Sequence, residues 1–135
     1  MTTVGAGLLD TSVFIAREAG RRLAELPERV AVSVVTIGEL QLGVLMAGDA
    51  AARALRADTL ALARTADPLP ANEPVMVEWA RLVAACRGAG VQRMVKLTDA
   101  LIAATAIEHG LPVVTQDDDY DQIARAYSAL SVINV

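Results

Sequence analysis

The sequence predicts an α/β fold with a mainly parallel central sheet and helices on both faces. Short β-branched apolar runs alternate with longer segments of helical period along the 135 residues. Those runs are apolar throughout rather than alternating with polar residues, as in strands buried on both faces. Hydrophobic residues make up 54% of the chain and aromatics only 3%, so Val, Leu, Ile and Ala must fill the core.

Val4 to Leu9 reads as the first strand, weakened by Gly5 and Gly7 and stopped by Asp10-Thr11-Ser12. Val13 to Leu26 has a helical pattern with a charged face at Arg17, Glu18, Arg21, Arg22 and Glu25, and Pro27 stops it. Val30 to Val35 is β-branched and reads as a second buried strand, after which Thr36 opens a helix to about Met46. Asp49 is a suitable N-cap for a helix reaching Ala66. Asp67-Pro68-Leu69-Pro70-Ala71-Asn72 is loop-like, with one short strand expected beside it. A helix from Glu73 to Arg87 is closed by Gly88 and Gly90, and one from Thr98 to His109 by Gly110 and Pro112. Leu111–Thr115 reads as a strand, Tyr120–Tyr127 as a helix and Leu130–Val135 as a final strand. With no repeat, low-complexity tract or linker, a single domain over residues 1–135 is expected.

No apolar run approaches the roughly 18 residues of a membrane span. Met1-Thr-Thr-Val-Gly lacks the positive region of a signal peptide, and the single cysteine, Cys86, suits a reducing compartment, so a cytoplasmic protein is expected. The net charge of −4 is the wrong sign for a generic nucleic-acid binder. Lys96 is the only lysine, however, and the other eleven basic residues are Arg, the better bidentate partner for phosphate.

Four carboxylates stand where a parallel sheet gathers its ligands: Asp10, Glu39, Asp99 and Asp117. Each has a purely structural explanation. Asp10 can cap the following helix, and Thr36-Ile37-Gly38-Glu39 has capping-box spacing. Asp99 suits a helix N-terminus, and Asp117 suits a turn. Together they are harder to dismiss. Asp10 and Asp117 follow strands, Glu39 lies one helical turn beyond another, and Asp99 at a helix start can reach the same edge. Their mutual repulsion calls for a cation, and a set of hard oxygens without a His or Cys cluster points to Mg²⁺ or Mn²⁺.

The same residues carry a family resemblance. Leu8-Leu9-Asp10-Thr11-Ser12-Val13-Phe14-Ile15 resembles the opening motif of PIN-domain nucleases, and Ser33-Val34-Val35-Thr36-Ile37-Gly38-Glu39-Leu40 with Gly43-Val44 resembles the second. Leu97-Thr98-Asp99-Ala100-Leu101-Ile102-Ala103-Ala104-Thr105-Ala106 is similar to the third. Leu111-Pro112-Val113-Val114-Thr115-Gln116-Asp117-Asp118-Asp119-Tyr120 is similar to the fourth, with Tyr120 in place of the more usual Phe. The motifs occur in the family's order, and the stand-alone length resembles VapC-type toxins of toxin–antitoxin pairs.

The resemblance implies a PIN-like three-layer fold and an Mg²⁺- or Mn²⁺-dependent endoribonuclease leaving a 5′-phosphate and a 3′-hydroxyl. By resemblance, Asp10, Glu39, Asp99 and Asp117 are the catalytic and metal-binding residues, and Thr11, Ser12 and Thr115 support the pocket. Asp10 and Asp99 are assigned to the more buried metal, Glu39 to that metal or its water, and Asp117 to a second position. Asp119 is a candidate for the rim, because the run Asp117-Asp118-Asp119 leaves open which acid faces the metal. RNA is implied as substrate, a small antitoxin protein as partner and a homodimer as assembly, with no membrane.

Two other readings are kept. One is a catalytically inactive PIN-like module that binds RNA or a partner. The other is a receiver-like phosphoacceptor domain, which would need a paired acidic site after the first strand and a late strand-terminal Lys. Gly5-Ala6-Gly7 lacks the third glycine of a dinucleotide fingerprint. His109 suits a helix C-terminus. Trp79 and Cys86 suit the core or a dimer contact, Lys96 a phosphate or solvent, and Arg17, Arg21 and Arg22 a single basic helix face.

Overall fold

The computed structural model describes residues 5–135, so Val4, expected at the start of the first strand, lies outside the described residues. Four strands form one sheet: β1 (Ala6–Leu9), β2 (Arg29–Val32), β3 (Val113–Thr115) and β4 (Val132–Asn134), in the order β2-β1-β3-β4. Every pairing is parallel. The helices are α1 (Thr11–Glu18), α2 (Val34–Leu45), α3 (Ala50–Arg64), α4 (Glu73–Gly88), α5 (Leu97–Glu108) and α6 (Asp119–Ala126).

Successive side chains on a strand point to opposite faces, and both faces of the inner strands β1 and β3 are buried. Strand β2, expected as a buried strand, is instead an edge strand exposed at Arg29 and Val30. Leu8 and Val113 face a core built with Leu82 and Cys86 of α4, Ile102 and Ala106 of α5 and Ile123 of α6. Their neighbours Leu9 and Val114 face the other core, with Val13 and Phe14 of α1, Leu40 of α2 and Leu60 and Ala63 of α3. The expected three-layer architecture is therefore present, with the carboxyl ends of the strands along one edge.

Several boundaries differ from the sequence expectation. The first helix ends at Glu18 rather than Leu26. Gly20 adopts φ +71°, its N–H bonds to Arg17 O at 3.1 Å, and the Arg21 N–H bonds to Ala16 O at 2.9 Å. This is a Schellman ending. Arg21 and Arg22 therefore lie beyond the helix and share no face with Arg17. The same pair of bonds closes α4 at Gly90, with Gly88 still inside the helix, and α5 at Gly110.

Strand β2 stops at Val32 because the Ser33 hydroxyl caps α2, accepting the Val35 N–H at 3.0 Å. Val34 and Val35 thus enter the first helical turn, and Thr36 is not the helix start. The strand expected near Pro68 is one parallel bridge from Ser33 to Leu69. Gly7 does not weaken β1. A Cβ there would lie 2.6 Å from Val114 Cγ2 and 3.1 Å from Pro27 Cγ, so glycine is what allows this close approach.

Candidate active site

The turns that leave β1 and β3 at the carboxyl edge are tied together by hydroxyls. Thr115, the last residue of β3, donates to Asp10 Oδ2 at 3.0 Å. Having spent its one hydrogen there, its Oγ1 accepts the Asp117 N–H at 2.9 Å and the Ser12 hydroxyl at 3.2 Å. Ser12 Oγ in turn accepts the Gln116 N–H at 3.0 Å. Asp10 caps α1, its Oδ2 also accepting the Ser12 N–H at 3.3 Å. Its other oxygen, Oδ1, accepts the Tyr120 hydroxyl at 2.8 Å.

Tyr120 brings the second carboxylate into register. Its hydroxyl oxygen also lies 3.4 Å from Asp99 Oδ1, so Asp10 and Asp99 face one phenolic oxygen from two sides. Both aspartates are buried, at 2% and 8% exposure, and Tyr120 is fully buried. Burial raises the Asp99 carboxyl to about 6, with the Asp10 charge adding to the rise and Lys96 partly opposing it. Burial likewise lifts the Tyr120 phenol far above its ordinary value, reinforced by Asp10 and Asp99, so Tyr120 stays a neutral donor.

Glu39 is placed differently from the capping-box expectation. Ser33 is the N-cap of α2, which puts both Thr36 and Glu39 inside the helix, so Thr36 is not an N-cap and no capping box forms between them. Glu39 Oε1 instead accepts the Thr11 hydroxyl at 2.6 Å. Thr11 Oγ1, with its hydrogen committed, accepts from the Thr36 hydroxyl at 2.9 Å. Glu39 is half-buried, whereas Asp117 is exposed in the β3–α6 turn. Partial burial and the nearby charges of Asp10 and Asp119 raise the Asp117 carboxyl, with Lys96 again opposing. Asp119 is half-buried at the first position of α6, and its charge reaches Asp99 as well.

The four sequence-identified carboxylates thus share one edge at graded depth: Asp10 and Asp99 inside, Glu39 midway, Asp117 outermost. Among the described residues, no three acidic, His or Cys side chains form a ready-made cage around one point. A paired site still suits Mg²⁺, which keeps several waters and takes only one or two carboxylates. The donors are hard oxygens whose mutual repulsion and burial a divalent cation would relieve. Cys86 is buried in the core, and exposed His109 sits at the far end of α5 as its C-cap.

Sequence reasoning missed two participants. The Tyr120 hydroxyl was legible only as a departure from the usual Phe, and Thr36 only as a hydroxyl within an apolar helix start. Beside Glu39, α1, α2 and α3 enclose a cleft of about 380 Å³, lined by Ile15, Leu40 and Leu42 together with Glu18, Glu39 and Arg56.

The PIN-domain model matches residues 7–126. Ribonuclease VapC8 of Mycobacterium tuberculosis is 75% identical over 103 residues, covering 76% of this chain and 92% of that protein. Ribonuclease VapC5 of the same species is 46% identical over 129 residues, covering 94% of each. The crystal structure of VapBC-5 from M. tuberculosis, a member of the VapBC family of toxin–antitoxin systems, superimposes with a TM-score of 0.88 at 40% identity, covering 98% of this chain and all of that one. FitAcB from Neisseria gonorrhoeae gives a TM-score of 0.69 at 28% identity over 94% of this chain and 96% of that one.

Proposed function

The chain belongs to the PIN-domain family, in its VapC-type branch, and from that premise we propose that it is a divalent-metal-dependent endoribonuclease serving as the toxin of a toxin–antitoxin pair. The observation that carries this reading is the buried Asp10–Asp99 pair, two carboxylates facing one hydroxyl at the carboxyl edge of a parallel sheet.

Asp10 and Asp99 are the residues that would hold Mg²⁺ or Mn²⁺, with Glu39 and Asp117 nearer the mouth and Asp119 at the rim. When bound, the ion would lower the pKa of an attacking water and neutralise phosphate charge. The remaining work falls to the chain itself. Glu39, held through Oε1 by Thr11, is suited to orient a water and accept its proton. Ser12 and Thr115 hold the Oδ2 end of Asp10. The N-termini of α1 and α6 follow β1 and β3 at this edge, and their dipoles favour an incoming phosphate. Exposed Lys96, at the N-cap of α5, adds a cation for the RNA backbone.

The cleft between α1, α2 and α3 is where an apolar antitoxin segment would dock, with a basic side chain meeting Glu39. A homodimer acting in the cytoplasm completes the proposal, and a neighbouring small reading frame encoding a DNA-binding antitoxin is its genetic counterpart. The test is incubation of the purified protein with mixed cellular RNA. Cleavage that requires Mg²⁺ or Mn²⁺, and is lost with chelator and in Asp99→Asn, is the expected result. Cleavage that survives either treatment defeats the proposal.

A further inference from the structure

Tyr120 is the second residue of α6, with its ring packed in the core cluster that holds Leu8, Ile102, Val113 and Ile123. Full burial fixes the ring, so the hydroxyl has one place to be. That place is 2.8 Å from Asp10 Oδ1 and 3.4 Å from Asp99 Oδ1. Asp10 Oδ2 is already held by the Thr115 hydroxyl and the Ser12 N–H. With Tyr120 on the other oxygen, the carboxylate is pinned at both ends. A phenylalanine would fill the same core volume and leave Oδ1 without this donor.

We propose that Tyr120 is a positioning residue for the divalent cation: its hydroxyl holds Asp10 Oδ1 opposite Asp99 Oδ1 and so sets the gap the ion enters. This inference rests on the metal reading of the site and adds to it a determinant of affinity outside the carboxylate set. A donor behind a ligand oxygen keeps the ligand from reorienting when the ion arrives, and removing such a partner typically weakens metal binding by roughly 10–100-fold.

The experiment is calorimetric titration of the metal-free protein with Mn²⁺ alone, without RNA, for wild type and Tyr120→Phe. Far-UV circular dichroism and thermal unfolding in chelator check that both proteins fold. The expected result is a loss of Mn²⁺ affinity of roughly 10–100-fold in Tyr120→Phe with the fold retained. A role confined to core packing would leave the affinity unchanged. Equal or tighter binding by the variant overturns the inference while leaving the metal site standing, and a wild type that binds no Mn²⁺ overturns both.

A second measurement reads the hydroxyl itself. The chain has only two tyrosines, so Tyr127→Phe leaves Tyr120 as the sole phenol. Adding Mg²⁺ to that protein should perturb the near-UV tyrosine absorption in a saturable way, as the ion draws electron density from Asp10. A flat trace at Mg²⁺ concentrations that saturate a parallel calorimetric titration of the same protein with Mg²⁺ overturns the inference.

Discussion

Replacing Asp99 with Asn should stabilise the metal-free protein while abolishing its proposed chemistry. The Asp99 carboxyl is raised from 3.8 to about 6, chiefly by burial and next by the Asp10 charge. An unfolded chain releases this proton first, so the unfolded state binds fewer protons between those two values and stability falls as pH rises through them. Above about pH 6 the penalty is complete and corresponds to roughly 3 kcal/mol. At 8% exposure Asp99 is poorly screened by solvent, so most of that figure should survive. An amide has its own desolvation cost, which leaves a net gain of about 2 kcal/mol for Asp99→Asn, or on the order of 6–10 °C in Tm for a domain of this size. The assay is urea or thermal unfolding of both proteins in chelator, at pH 8 and again below pH 4. The gain should be full at pH 8 and absent below pH 4. Saturating Mg²⁺ at pH 8 should raise the wild type and leave the variant unmoved. An Asn variant less stable than wild type at pH 8 in chelator, or a gain indifferent to pH, would refute the electrostatic account.

Three further substitutions probe the scaffold and the site edge. Gly7→Ala should cost about 1–3 kcal/mol by urea denaturation, because its Cβ would meet Val114 Cγ2 at 2.6 Å in a packed core. Gly38→Ala, in open space on α2, should instead gain about 0.5–1 kcal/mol, which makes it the matched control. Thr115→Val should lower stability by about 1–3 kcal/mol, since it withdraws a donor from Asp10 Oδ2 and an acceptor from the Asp117 N–H. A neutral Thr115→Val would mean that the hydroxyl relay at the edge contributes little.

The inner strands and several element ends follow from signals that are local and periodic, whereas the sheet order does not. Leu8 and Leu9 carry no polar alternation because each faces its own core, and Asp10 ends the strand where the chain must turn. Those features are visible in one dimension, as is the Gly110 ending of α5. The misreadings come from competition between equivalent signals. Ser33 and Thr36 are both hydroxyl residues able to cap a helix, and the β-branched Val34 and Val35 between them favour strand by propensity alone. Burial of Ser33 beside Leu69 decides for the earlier cap. Charges continue past Gly20 at helical spacing, which hides the positive φ that ends α1. The site was legible as a set of acids but not as a network. The deeper placing of Asp10 and Asp99 came only with the family resemblance, and which hydroxyl serves which oxygen depends on distances across the sheet edge that sequence spacing does not encode.

The ties that hold Asp10 have a temporal consequence. Thr115 and Tyr120 lie 105 and 110 residues downstream of the carboxylate they serve. At synthesis rates of roughly 5–20 residues per second, Asp10 emerges seconds before either partner exists. Until then β1 lacks its β3 neighbour and presents an open edge on that side. The deepest acids therefore meet only after the long loop between the sheet's two inner strands has closed, a slow and non-local event in folding. A nascent chain would be without an assembled centre for most of its translation, and the centre would appear in one late step rather than by degrees.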